Sequence, residues 1–517
     1  MKNINSKVVL IRPPLVSKFG AINNEATPAL ALAYISSYLH ANGYESIMID
    51  AIGEGLNKMW PLTEYEGYQC QGLTFDEIIQ QIPEQTEIIG FSGMFSGEWP
   101  VVRSFIKAVR LQFPNALLVA GGEHVTALTE YVLTDCSELD CCVCGEGESI
   151  FYHLVDTYYN NKDIHNVEGL AYLDNEGTFI KNGLLQRMRN IDEIPWPRWD
   201  DGYLENFWEA GKSFGIGMGR DVPLMFSRGC PYRCTFCSNE QMYGTRYVLR
   251  DQDDVLDEVE SYIQKYNANS MQLYDLTAIT KKRWIVSLCN KILERGIKVG
   301  WSLPSGTRSE VLDDETLKLL KEIGLKYICY APESGSQRTR ESIAKRVDIK
   351  KLNKSVMTAK KHGIETRINL IIGFPDETWI DVFQTLLYGL KMAVRGVDEV
   401  PIYLFSPYPG TKIFEDLIAN NEIEINDDYF LTLTSLNSSY LSNKVISCNK
   451  LMPASILGVL RTFSMLLNYL ISYILYPKRI IRTLKNIFRK GSVSSTVLEH
   501  RLKDIINRSR LINRSGT

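Results

Sequence analysis

The strongest constraint on the fold is a rhythm. Short apolar runs, each closed by glycine, proline or serine, alternate with helix-like stretches. In the first third of the chain the runs fall at 8–11, 45–50, 87–91, 117–120 and 140–144. Pro13-Pro14 closes the first, and Ser92-Gly93, Gly121-Gly122 and Gly145-Glu146-Gly147-Glu148 close the last three. Residues 28–41 carry a helical apolar stripe that stops at Asn42-Gly43. Short apolar strands separated by helices predict a parallel sheet covered on both faces. Such sheets bind ligands beyond the carboxyl ends of their strands. Ser92, Gly121, Gly122 and Gly145 stand at those ends, where backbone must turn sharply or approach a ligand closely.

The rhythm returns at 222–227, 270–274, 298–302, 327–331, 366–372 and 399–405, with helical patterns such as 253–266 and 314–323 between. Six strand–helix units predict a full or partial barrel of parallel strands, with functional groups at the carboxyl ends. Residues 166–178 have hairpin character around Asp174-Asn175-Glu176-Gly177. The segment Ile194-Pro195-Trp196-Pro197-Arg198-Trp199 reads as a linker packed between domains. The expected α/β organisation is a doubly wound parallel sheet over 1–160, a linker region over 161–220, a partial (β/α)6 barrel over 221–415 and a helical cap with a basic tail over 416–517.

A chain of 517 residues has room for several such units. With 45% hydrophobic and 23% charged residues it is a folding chain rather than a disordered one. A net charge of −4 supplies no field for nucleic acid, so none is expected as a partner. The apolar run 8–11 is too short for the core of a secretory signal, which predicts a cytoplasmic protein. In that compartment eleven cysteines point to metal or redox work before disulfides.

One cluster of them decides the chemistry. Arg228-Gly229-Cys230-Pro231-Tyr232-Arg233-Cys234-Thr235-Phe236-Cys237-Ser238 spaces three cysteines as C-x3-C-x2-C on a loop after a predicted strand. Zinc sites take four ligands in paired groups, and no second pair lies nearby. Iron–sulfur clusters are held by thiolates, ordinarily four of them. Three thiolates leave one iron of a four-iron cubane open to a substrate or cofactor. Cys234 and Cys237 alone would also fit a redox pair, but the third cysteine and the barrel argue against it. Cys141, Cys142 and Cys144 sit on a buried-strand pattern and read as small apolar residues.

The loop resembles the signature of the radical S-adenosylmethionine (SAM) superfamily, with Phe236 as its aromatic residue. The resemblance implies a 4Fe-4S cluster on Cys230, Cys234 and Cys237, with SAM chelating the open iron and an electron cleaving it to a 5′-deoxyadenosyl radical. Ala331-Pro332-Glu333-Ser334-Gly335-Ser336 resembles the family's fourth-strand segment, which implies Glu333 and Ser334 near SAM. Asn369-Leu370-Ile371-Ile372-Gly373-Phe374-Pro375 resembles its fifth-strand motif, which implies Gly373 behind the adenine. Ser406-Pro407-Tyr408-Pro409-Gly410-Thr411 resembles the segment after the sixth strand. Relatives often carry a second acidic residue after the aspartate matching Asp275, where this chain has Leu276.

The first unit resembles the cobalamin-binding domain that precedes the barrel in one large class of these enzymes. Arg12-Pro13-Pro14, the helix with Ala33-Tyr34, Gly121-Gly122-Glu123-His124 and Gly145-Glu146-Gly147-Glu148 carry the likeness. Residues 12–20 contain no histidine for the cobalt-ligand motif. His40 reads as an ordinary helix-end residue; His124 is placed where it could reach a ligand at the sheet edge, but a loop histidine is more often simply hydrogen-bonded. The resemblance implies a cobalamin-dependent methyl transfer to an unreactive carbon, with a small substrate and an electron donor such as flavodoxin or ferredoxin. The alternatives are a radical cyclase or oxidoreductase, or a non-catalytic cluster or corrinoid sensor.

The C-terminal part has its own pattern. Residues 453–476 are strongly apolar but contain Arg461 and Asn468, leaving a clean stretch too short to span a bilayer. Residues 477–517 hold eleven Lys/Arg against two Asp/Glu. A helical cap over the barrel is expected, with peripheral contact to an anionic membrane surface as the second reading.

Overall fold

The computed structural model describes residues 7–19, 26–183, 187–435, 447–488 and 493–515. Gly20 of the first loop and residues 489–490, at the end of the expected basic helix, lie outside the described residues.

The first unit contributes β1 (Val8–Arg12), β2 (Leu15–Lys18), β3 (Ile47–Asp50), β4 (Met59–Pro61), β5 (Tyr68–Gln71), β6 (Ile88–Ser92), β7 (Leu117–Gly121), β8 (Cys141–Val143), β9 (Leu170–Leu173) and β10 (Phe179–Lys181). Seven of these form one sheet in the order β10-β9-β8-β7-β6-β1-β3. The five strands from β8 to β3 are parallel, and β9 and β10 add an antiparallel hairpin at one edge. Each parallel strand is nearly all buried because helices cover both faces, among them α1 (Leu30–Ala41), α2 (Trp99–Gln112) and α3 (Gly147–Tyr159). Cys141, Cys142 and Cys144 are buried in this sheet as apolar residues, as expected.

The small antiparallel sheet β2-β5-β4 was not foreseen. Its strands carry Lys18, Pro61 and Gln69 among their apolar residues, so no alternating pattern marks them.

The second unit contributes β11 (Asp221–Leu224), the two-residue β12 (Ser227–Arg228) paired with β13 (Val248–Leu249), and then β14 (Ser270–Leu273), β15 (Gly300–Thr307), β16 (Leu325–Glu333), β17 (Glu365–Ile372) and β18 (Ile402–Leu404). Six of them form a parallel sheet in sequential order, β11-β14-β15-β16-β17-β18, with β11 and β18 unpaired to one another. This is the expected partial barrel. Trp301, Tyr327 and Tyr330 are its largest fully buried side chains.

The linker packs between the units, as read from sequence. Ser37 of α1 donates to the Trp196 carbonyl at 2.5 Å, and the Trp196 indole donates to Asp254 of a barrel helix at 2.9 Å. Trp199 stacks on Tyr203 at 5.4 Å, and the Tyr203 hydroxyl donates to Asp50 at 2.6 Å. Asp50 also holds Arg12 at 2.6 and 2.7 Å, so the Arg-Pro-Pro motif ties the first strand to its neighbour.

Beyond the barrel, α4 (Trp379–Val394) is a barrel helix, followed by α5 (Asp427–Ser435), α6 (Ala454–Leu475), α7 (Lys478–Phe488) and α8 (Val497–Ser515). The expected cap is only partly a barrel cap. Helix α6 lies along α4 and β18, covering the last strand. Helix α5 folds back on the first unit, where Asp427 accepts from Arg103 at 2.6 Å and Tyr65 at 2.8 Å.

Candidate active site: a cavity between two sheet edges

The carboxyl ends of both parallel sheets face one another across a cavity of about 300 Å³. Ser92, Gly121, Gly122 and Gly145 line it from the first sheet. Met225, Arg228 and Gly229 line it from the start of the barrel, and Tyr274 and Leu276 from the end of β14. Gly122 is required for steric reasons. Gly122 has φ +118°, and a Cβ there would come within 2.7 Å of the Gly93 carbonyl oxygen. Gly121 is different: a Cβ there meets only ordinary contacts at 3.6 Å, so its bareness keeps the wall flat.

The walls are largely apolar. Met94 and Leu276 line the cavity while 40% and 46% exposed, which makes them binding surface rather than core. Leu276 makes this part of the wall apolar. Asp275 beside it is buried and accepts from the Phe226 N–H at 3.1 Å and Ser227 at 2.5 Å. It fixes the start of the cysteine loop and does not line the cavity.

Arg228 closes one side. Its guanidinium donates to Glu148 at 2.6 Å, lies 3.7 Å from Glu146 and stacks over the Tyr34 ring at 5.1 Å. Glu148 stands in the first turn of α3, so this buried pair clamps the two units together beside the cavity. Burial opposes ionisation of Glu148, but the attraction and hydrogen bond of Arg228 prevail and hold its carboxyl below the usual range. Sequence spacing does not announce this pair, because its members are 80 residues apart.

The cysteine loop follows directly. Gly229 has φ +84°, and a Cβ there would fall on the Arg246 carbonyl oxygen. The loop is held by its backbone and polar neighbours. The Thr235 N–H donates to Ile343 at 3.1 Å, the Cys237 N–H to Cys234 at 3.0 Å, and Asn239 to the Cys230 carbonyl at 3.2 Å. Ser238 donates to Glu123 of the first unit. Phe236 packs edge-on against Phe374 at 5.8 Å, and Arg308 lies 3.3 Å over the Tyr232 ring. Cys230 and Cys234 are half-buried and Cys237 is exposed, and all three are free thiols. Among the described residues no three Cys, His, Asp or Glu converge on a point that would hold one metal ion. That is compatible with a cluster, since each thiolate of a cubane binds a different iron. The donor set, three thiols on one tethered loop, fits that group.

The remaining predicted residues divide. Glu333 ends β16 with φ +65° and pairs with half-buried Lys345 at 2.9 Å. Cys234 is also among the electrostatic neighbours of Lys345, which places this pair beside the cysteine loop. Ser334 is buried, shares a hydrogen bond with Thr385 at 2.7 Å and accepts from the Ser336 N–H at 3.1 Å. Gly373, at φ +91°, donates its N–H to Glu377 at 2.6 Å, and Leu457 of α6 sits where a Cβ would be. Phe236, Glu333, Ser334 and Gly373 are not among the residues lining the cavity between the sheets.

Neither histidine weighed above is a ligand here. His40 is exposed and pairs with Glu45 at 2.5 Å. His124 follows the reading of a loop histidine bonded within the protein rather than reaching a ligand at the sheet edge. Its ring is buried between Trp99 and Phe430, each at 5.2 Å, with Nδ1 bonded to Ser96 at 3.0 Å. The returning helix α5 supplies Phe430, a contact no local pattern reveals. Burial pushes the His124 pKa down to about 3. The unfolded chain protonates first, so stability is full above the ordinary value and falls as pH drops from about 6.5 towards 3, by up to ~1.4 kcal/mol per pH unit. Urea midpoints measured between neutral and acid pH are expected to fall less steeply in His124→Phe than in the parent.

Two family models match the chain: the B12 binding domain over residues 24–155 and the radical SAM superfamily over residues 224–388. An uncharacterized methyltransferase of Pyrococcus horikoshii is 29% identical over 416 residues, covering 80% of this chain and 84% of the relative. Cytidylyl-2-hydroxyethylphosphonate methyltransferase of Streptomyces wedmorensis is 27% identical, covering 71% and 73%. Anaerobic magnesium-protoporphyrin IX monomethyl ester cyclase of Rubrivivax gelatinosus is 26% identical, covering 81% and 71%. Among solved structures, the cobalamin-dependent SAM radical enzyme OxsB, with aqua-cobalamin and SAM bound, superposes with a TM-score of 0.68 at 14% identity, covering 99% of this chain and 81% of that one. With both domains matched in order, this chain carries a B12-binding domain followed by a domain of the radical SAM superfamily.

Proposed function

We propose that this protein is a cobalamin-dependent radical SAM methyltransferase that places a methyl group on an unreactive carbon of a small substrate. The observation that carries the reading is the shared cavity. One wall is the glycine-lined ligand edge of the B12-binding domain, and the other is the strand end from which the cysteine loop departs. When bound, the cluster supplies the electron that cleaves SAM, and the corrinoid carries the methyl group.

The chain's own residues hold and shield. Cys230, Cys234 and Cys237 hold the cluster, and Phe236 packs the loop against the barrel. Glu333, oriented by Lys345, receives the SAM amino group. Ser334 and Gly373 shape the strand ends around it through internal bonds rather than by donating to it. Ser92, Gly121, Gly122 and Gly145 let the corrin approach the sheet edge. No histidine is among the described residues lining the cavity, so the protein offers no imidazole to the cobalt there. Met94, Leu276 and Tyr274 exclude water from the space between. The electron enters from a small donor such as flavodoxin or ferredoxin at the exposed side of the loop, where Cys237 and Arg233 are exposed. The eleven free cysteines suit a reducing cytoplasm.

The test is product accounting on the anaerobically reconstituted enzyme with SAM and reductant. Methyl transfer forms S-adenosylhomocysteine as well as 5′-deoxyadenosine. Formation of 5′-deoxyadenosine with no S-adenosylhomocysteine would replace this reading with the cyclase chemistry of the protoporphyrin relatives.

A further inference from the structure

The last helices are built inside out. In α6 the buried residues include Arg461, Asn468 and Ser472, while Val459, Phe463, Leu466, Leu470 and Ile474 are 56–67% exposed in one stripe. In α7 the buried residues are Arg479, Thr483 and Asn486, while Ile481, Leu484 and Phe488 are 51–71% exposed. The buried polar groups of α7 bond inward. Arg479 donates to the carbonyls of Gly396 and Val397 at 2.6 and 3.1 Å and pairs with Asp398 at 3.1 Å. Thr483 and Asn486 donate to Glu499 of α8 at 2.7 and 2.8 Å. A helix that meets water shows the opposite arrangement.

Helix α4, against which α6 packs, continues the surface with exposed Ile380, Phe383 and Leu387. Together these helices hold sixteen of the twenty-five exposed large hydrophobic side chains among the described residues. That is far more than scattered surface residues require.

The charges on this face have one sign. Helices α6 and α7 contain no Asp or Glu, and the one acidic residue of α4, Asp381, is buried and paired with Arg338. The exposed charged residues of these helices include Lys391, Lys478 and Lys485. By length and composition α6 is able to cross a bilayer. One flank of it lies along the barrel, however, and its Arg461 and Asn468 are turned into the protein. Such a helix lies on a membrane rather than across it.

We infer that the outer face of α4, α6 and α7 is a monotopic docking surface for an anionic lipid bilayer. Lipid suits both features, because acyl chains take the apolar stripes and anionic headgroups take the lysines. A second copy of the chain suits only the first, since a two-fold contact would bring the same lysines together.

The test is flotation of the full, reconstituted chain with vesicles of phosphatidylcholine, with and without phosphatidylglycerol. Binding is expected with both, and three lysines make it roughly a hundredfold tighter with the anionic lipid. Phe463→Glu with Leu470→Glu is expected to abolish flotation. Both side chains are exposed, so the thermal transition and the rate of SAM cleavage should stay as in the parent. Lys478→Gln with Lys485→Gln should remove most of the preference for anionic vesicles while keeping the weak binding. Absence of flotation with either vesicle would overturn the inference. So would a dimer seen by light scattering that the same Phe463 and Leu470 substitutions dissociate.

Discussion

A Cys234→Ala chain is expected to purify folded, to take up no four-iron cluster, and to form no detectable 5′-deoxyadenosine from SAM. The thiol is half-buried on a loop held by the Thr235 and Cys237 N–H groups and by Asn239, so its removal leaves those hydrogen bonds intact. The cluster loses one of only three ligands, and no fourth cysteine stands in the loop to replace it. Cys142→Ala provides the contrast. That side chain is fully buried in the first sheet and should cost about 1 kcal/mol of stability while cluster and SAM cleavage remain. Iron and sulfide analysis beside a product assay checks both variants. Loss of SAM cleavage in Cys142→Ala, with the protein still folded, would contradict the assignment of the two cysteine groups.

The second large effect concerns the clamp between the domains. Arg228→Met leaves Glu148 buried without its partner, and breaking a buried pair in this way costs about 3–5 kcal/mol. The two groups are each 8% exposed at the side chain, so water does little to relieve the stranded charge. Thermal unfolding should shift down clearly, and the corrinoid should be held less tightly because the cavity wall moves with Arg228. Arg228→Met combined with Glu148→Leu should recover most of the stability, since no charge is then stranded. In the single variant the acid response should reverse in sign, because burial alone raises the stranded Glu148 carboxyl and its protonation at low pH then restores stability. In the parent, the depressed Glu148 pKa contributes stability that is present above the ordinary carboxylate range and is lost as pH falls through the folded value. Equal stability of Arg228→Met and the parent would show that the pair does not join the units.

The sheets were legible because buried parallel strands need continuous apolar runs and because their ends need special residues. Val8–Arg12, Leu117–Gly121 and Glu365–Ile372 stand within a residue or two of the runs that announced them. The cysteine loop and the glycine edge were legible for a related reason: their chemistry depends on residue types at short spacing. What was not legible depends on contacts between distant segments. The Arg228–Glu148 clamp, the Ser238–Glu123 bond and the packing of Phe430 on His124 each join residues separated by most of a domain or more. The motifs around Ser334 and Gly373 stand at the ends of β16 and β17, where their polar groups are bonded within the protein. Composition marked 453–476 as apolar, but only the fold reveals that its apolar side faces outward.

Anaerobic reconstitution with iron, sulfide and hydroxocobalamin, followed by desalting and an absorption spectrum, shows whether one chain holds both groups. The parent is expected to retain both the cluster absorbance and the corrinoid bands, and Gly121→Leu, which fills the flat wall of the cavity, is expected to lose the corrinoid bands and keep the cluster. Cluster absorbance with no retained corrinoid in the parent would contradict this expectation, leaving the first domain an empty shell beside a cobalamin-independent barrel.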